Sequence, residues 1–189
     1  MSRRRRHSVD KSLLMGAFAF AAFVVLVIAG RLMSASASQP VPEVDSDFAM
    51  KAAAGGMAEV KMGQLAQEKG TSDAVKAFGQ RMVDDHSKAG DKLKDVAAKA
   101  GMTLPPDVSK TDQHEYDRLA KLSGKDFDQA YAQAMVKDHV TDIAEFKKEA
   151  MSGGDPGLKQ FATETLPTLQ DHLKQAREMA RAVGALPQM

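Results

Sequence analysis

The sequence predicts an all-α protein: a four-helix bundle built from a duplicated helix hairpin, behind an N-terminal signal or membrane helix. Three observations carry this. Apolar residues recur every three or four positions through four long stretches between residues 47 and 183. Ala, Lys, Gln, Met and Leu abound, Trp and Cys are absent, and aromatic residues make up only 5% of the chain, a composition that suits helix. The segments on either side of residues 102–124 also repeat one another in order and spacing.

The first 37 residues stand apart. Arg3 to Arg6 and Lys11 form a basic cluster, Ser12 to Gly30 carries no charge, and Leu13 to Ala29 is almost wholly apolar. Ala35-Ser36-Ala37 then offers a small-x-small cleavage site. The uncharged run is slightly long for a signal core and slightly short of the roughly 20 residues that span a bilayer comfortably. A cleaved signal and a retained anchor through residues 12–30 therefore both stay open. Either one keeps the arginines in the cytoplasm and exports residues 38–189.

Charge excludes one class of partner. Residues 1–37 hold six of the 26 basic and one of the 25 acidic residues, so the remainder carries 20 against 24, a net of −4. A mildly acidic exported domain has no electrostatic basis for binding nucleic acid. The absence of Cys also removes disulfides, thiolate metal sites and a Cys nucleophile.

Residues 38–46, with two prolines, read as a polar linker, and the bundle domain as residues 47–184. The first long helix runs from Asp47 to Lys69 on the stripe Phe48, Ala52, Gly55, Glu59, Met62, Ala66. Gly70-Thr71-Ser72 breaks it, with Ser72 as N-cap of the second. That helix spans Asp73 to Ala100 on Val75, Phe78, Met82, His86, Ala89, Leu93, Ala97, and Gly101 with Pro105-Pro106 ends it. The connection 102–124 holds a short helix over Thr111 to Leu122. The third long helix covers Lys125 to Met151 on Phe127, Tyr131, Met135, His139, Ile143, Phe146, Ala150. Asp155 as N-cap and Pro156 at the first position open the fourth, which reaches Val183 on Leu158, Ala162, Thr165, Leu169, His172, Ala176, Met179. Pro167 inside it predicts a kink. Gly55-Gly56 reads as close helix packing and Gly153-Gly154 as a helix stop; neither has the setting of a phosphate loop.

The repeat aligns Asp47-Phe48 with Asp126-Phe127, VKAF (75–78) with LKQF (158–161), and Asp85-His86 with Asp171-His172. Two hairpins joined by a long connection are the layout of a ferritin-like bundle. Glu59, His86, His139 and His172 each lie near mid-helix on an apolar stripe, so they converge at mid-bundle whichever way the connection runs. One carboxylate and three imidazoles would suit a single Zn, Cu or Fe ion. The Glu-x-x-His pairs of a di-iron site are missing, since Val83, Val136 and Leu169 stand three residues before the histidines. Asp142, one turn after His139, and Met82 and Met135, one turn before His86 and His139, are weaker candidate ligands. The competing reading is a hydrogen-bonded polar layer that fixes helix register. The Asp beside each His, about 100° around the helix, either orients an imidazole on a neighbouring helix or faces solvent. No Ser or Cys nucleophile accompanies the histidines, so a hydrolytic triad is excluded.

GGMAEVKMGQLAQEKG (55–70), VKAFGQRMVDDHSKA (75–89), SGKDFDQAYAQAMVKDH (123–139) and TLPTLQDHLKQA (165–176) resemble a bacterial exported family, domain of unknown function 4142, over about residues 45–183. The resemblance implies a ferritin-like bundle, often in envelope proteins, and no assigned activity. The expectation is a structural or stress-related protein of the bacterial envelope with a mid-bundle metal site. It would lie on the periplasmic side, tethered to the inner membrane or released near Ala37. A metal-dependent oxidoreductase or metal-storage protein of the periplasm is the alternative, and an interaction module a third.

Overall fold

A computed structural model describes residues 40–186, so the expected signal or anchor segment lies outside the described residues. Among those described, every regular element is an α-helix: α1 (Glu43–Lys69), α2 (Asp73–Lys99), α3 (Lys110–Ala120), α4 (Gly124–Ser152) and α5 (Pro156–Ala182). None of these is long and apolar enough to cross a membrane.

Helices α1 and α2 pack along their length, as do α4 and α5; α2 also lies against α5 and α1 against α4, while α3 rests on α1 and α4. Two clasps give the directions. Asp45 at the start of α1 accepts hydrogen bonds from the amides of Gly154 (2.8 Å) and Asp155 beyond the end of α4. Asp128 at the start of α4 accepts from Thr71 N (3.0 Å), Thr71 Oγ1 (2.6 Å) and Ser72 N (2.9 Å) beyond the end of α1. All neighbouring long helices are therefore antiparallel. The connection from α2 to α4 must return the full length of the bundle, and α3 lies within it.

The helix ends follow local chemistry. Gly70 and Gly153 close the first helix of each hairpin with nearly the same backbone, φ −59° with ψ 137° and 140°. Asp155 caps α5 by accepting from Leu158 N (2.9 Å), with Pro156 beside it. Gly101 follows α2 at φ +71°, a left-handed conformation that glycine adopts without steric cost. Helix α5 continues as helix through Pro167.

Three expectations need correction. Residues 43–46 are helix rather than linker, because Asp45 is drawn into the clasp and is only 1% exposed. Ser72 occupies the N-cap position of α2, but its side chain makes no cap bond; its own amide donates to Asp128 across the bundle. The close approach of α1 and α2 lies at Gly63 and Gly79, not at Gly55-Gly56. A Cβ on Gly63 would sit 2.6 Å from the Gly79 carbonyl oxygen, and one on Gly79 2.7 Å from that of Gly63. A Cβ on Gly55 would meet nothing within 4 Å.

The apolar core falls into two parts. One, at the Asp128 end, includes Met62, Phe78, Met82, Phe127, Tyr131, Met135 and Met179. The other, at the Asp45 end, includes Phe48, Leu93, Phe146, Leu158, Phe161 and Leu169. Each such large side chain contributes about 1.5–3 kcal/mol by leaving water.

Replacing Asp128 by Ala strands two backbone N–H groups and a hydroxyl at the opposite hairpin's turn. Urea unfolding of Asp128→Ala should show a loss on the order of 3 kcal/mol. A loss within experimental error of zero would show that the clasp does not hold the hairpins together.

Candidate metal centre

Between the two apolar parts lies a polar layer. Glu59 on α1, His86 on α2, His139 on α4 and His172 on α5 each stand within three residues of their helix midpoint. All four are buried, with exposures of 3%, 8%, 0% and 1% respectively. The imidazole ring centres are 5.3–5.8 Å apart, and Phe78 closes the layer edge-on to His139 and His172.

Each imidazole is held by one ring nitrogen. His86 Nδ1 donates to Glu59 Oε2 at 2.9 Å. His139 Nδ1 donates to the Met135 carbonyl at 2.9 Å, with Glu59 Oε1 3.4 Å away. His172 Nε2 donates to Asp85 Oδ2 at 2.9 Å. The other nitrogen of each ring (His86 Nε2, His139 Nε2 and His172 Nδ1) is buried with no hydrogen-bond partner, as is Glu59 Oε1. The three histidines can each present one ligand atom within 4.8 Å of the others. A tetrahedral ion with bonds of about 2.0–2.1 Å spaces its ligands about 3.4 Å apart, so these atoms have at most about 1.4 Å to close.

The remaining candidates separate. Glu59 lies behind His86, orienting it, rather than among the three converging imidazoles. Met82 and Met135 are fully buried in the apolar part at the Asp128 end, and Met135 serves His139 through its carbonyl. Asp142 lines a cavity beside Glu59 and is not among the converging groups. Of the Asp residues preceding the histidines, Asp85 orients His172 on the neighbouring helix. Arg81 joins it to Asp171, with Nε 3.2 Å from Asp85 and the guanidinium 2.8 Å from Asp171. Sequence reasoning missed Arg81, although its position one turn before Asp85 (i, i+4) was a visible signal.

Charge in the layer centres on Glu59. Burial opposes its ionisation, yet the His86 and His139 charges and the His86 hydrogen bond hold its carboxyl at about 2. Burial pulls His86 down, and the Glu59 carboxylate more than compensates, leaving it raised. Burial wins for His139, which is lowered, and for His172, which is lowered to about 4. Two acids near this fixed negative charge shift the other way. Burial, then Glu59, pushes Asp138 up to about 7 and Asp142 up to about 9. His172, lowered to about 4, is neutral near pH 7, the protonation state a metal ligand needs.

Fold and site together define an all-helical bundle with a buried imidazole–carboxylate layer at mid-length. The chain belongs to the family described as Domain of unknown function (DUF4142), whose model matches residues 31–179. Its fold is similar to the crystal structure of a DUF305 fragment from Deinococcus radiodurans, with a TM-score of 0.65 and 12% identity over 78% of this chain and 100% of that one. No curated protein matches the sequence.

Asp142 gives a pH-dependent prediction. Its folded pKa of about 9 lies above its ordinary value of 3.8, so the folded state binds the extra proton. Its contribution to stability is fully present below 3.8 and is lost as pH rises through 9. Asp142→Asn removes that loss. The variant should melt roughly 5 °C above the wild type at pH 8, with the gap closing by pH 4. A gap that persists or widens at pH 4 would contradict the assignment.

Proposed function

We propose that this chain is an exported bacterial envelope protein whose ferritin-like bundle, grown by duplication of a helix hairpin, holds one transition-metal ion. His86, His139 and His172 are the ligands. Glu59, Asp85 and the Met135 carbonyl orient them from behind, an arrangement in which the oxygen partner fixes each ring and raises its basicity. The observation that carries the reading is the set of three buried, unpartnered ring nitrogens. A layer serving only to fix helix register would pair its polar atoms, because each unpaired one costs about 1–3 kcal/mol.

The donor set is compatible with Zn, Cu or Fe. Three imidazoles leave a coordination position open, as in catalytic rather than closed structural sites. That favours a metal-dependent oxidoreductase over a storage protein, whose capacity would need more than one ion. The basic cluster and apolar run of residues 3–30 support export, with the chain tethered through residues 12–30 or released near Ala37.

Metal analysis of the untagged protein after dialysis should return one ion per chain. His139→Ala should abolish retention, and Asp85→Asn should weaken affinity about 10–100-fold. Substoichiometric metal that both substitutions leave unchanged would refute the site. N-terminal sequencing of the exported protein tests the leader: a start at Ser38 rules out the anchor, and an intact terminus rules out cleavage.

A further inference from the structure

A cavity of about 450 Å³ opens between α1, α2 and the segment leading to α3, and its inner wall reaches Glu59 and His86. The volume falls within the range of small-molecule pockets, about 300–1,000 Å³. Three glycines on the two helices, Gly55, Gly56 and Gly90, help to leave it open. A Cβ on Gly55 or Gly90 would meet nothing within 4 Å, and one on Gly56 would meet only His86 Nδ1, at 3.9 Å. Buried Leu93, Phe146, Phe161 and Leu169 form the apolar part of its wall.

The polar groups of this wall are unevenly distributed. Lys51, Lys61 and Lys94 belong to the exposed rim, and each is paired with an acid: Glu145 at 3.1 Å, Asp107 at 2.7 Å and Asp91 at 3.0 Å. Buried Glu59 and half-buried Asp142 also line the wall. Glu59 is 3% exposed, and its Oε1 has no hydrogen-bond partner. No hydrogen bond or ion pair engages Asp142 among the described residues. The cavity thus pairs an apolar body with an inner end where two carboxyl groups, Glu59 and Asp142, accompany one imidazole, His86.

We propose that this cavity binds a small organic amine, its apolar part against Leu93, Phe146, Phe161 and Leu169 and its ammonium group at Glu59 and Asp142. An ammonium group there meets the free Oε1 of Glu59 and takes the place of the proton on Asp142, whereas an anion would meet the Glu59 carboxylate. The inference is independent of the metal reading, because the cavity and both carboxyls are present whether or not the histidines hold an ion.

The test uses the full chain in lipid nanodiscs, with benzylamine, benzyl alcohol and benzoate as probes in ligand-observed NMR, before and after treatment with EDTA. Benzylamine should bind, and about tenfold more tightly than benzyl alcohol; benzoate should not bind. Asp142→Asn should remove that preference. Gly56→Leu should abolish binding while keeping or raising the melting temperature, since it replaces a helical glycine with a good helix former. Gly90→Leu serves as a second filling variant should Gly56→Leu fail to fold. Equal binding of amine and alcohol, tighter binding of benzoate, or amine binding unchanged in a folded filling variant would overturn the proposal. Loss of metal on EDTA with amine binding retained supports it, and separates it from the fate of the metal site.

Discussion

The ionised carboxylate of Glu59, buried at mid-bundle between two imidazoles, is the constraint around which the rest of the structure is arranged. A carboxylate taken out of water has a large desolvation cost that only close partners offset. His86 provides a hydrogen bond at 2.9 Å and His139 a ring nitrogen at 3.4 Å. That requirement fixes the register of α1 against α2 and α4. It also divides the apolar core into two separate parts, one toward each end of the bundle. The clasps at Asp45 and Asp128 then set the same register from the ends, because each ties one hairpin's first helix to the other hairpin's turn.

The same charge governs the surrounding titration. Burial pushes Asp138 and Asp142 up, and the Glu59 charge in a poorly screened interior adds to it. The imidazoles respond differently because their distances from it differ. His86 is hydrogen-bonded to the carboxylate and rises. His139 lies farther away, and His172 is held by Asp85 instead, so burial prevails in both. One interaction thus produces one raised and two lowered imidazoles within a cluster whose rings are less than 6 Å apart.

Much of this was legible in the sequence, for a reason that also marks where legibility ends. Helical periodicity depends on which face is apolar, and that is local information. It located the four long helices to within a few residues and put Glu59, His86, His139 and His172 on inward faces. The stripe positions Ala52, Gly55, Ala89 and Thr165 read as core, yet all four are half-buried and line the cavity. A stripe shows direction but not whether a neighbour fills the space it faces. Asp45 and Asp128 were not assigned roles because their partners lie in the turn of the other hairpin, and of the two partners of Arg81 only Asp85 stands on its own helix, Asp171 being on α5. The two glycine pairings were exchanged for the same reason: only the packed structure shows that Gly63 and Gly79 face each other's backbone while Gly55 faces open space.

The asymmetry of the centre follows from where each oxygen partner stands. Among the described residues Glu59 is the one carboxylate of the layer; it engages Nδ1 of His86 and lies 3.4 Å from that of His139. His172 is held by Asp85 on the neighbouring helix instead. Arg81 ties Asp85 to Asp171, so the Asp beside His172 is bound by a guanidinium rather than by a ring. Each imidazole therefore has an oxygen on one nitrogen, which leaves the other nitrogen of each ring buried and unpartnered. A second central carboxylate would pair with one of those nitrogens, and a layer of imidazoles alone would have no anion to orient them.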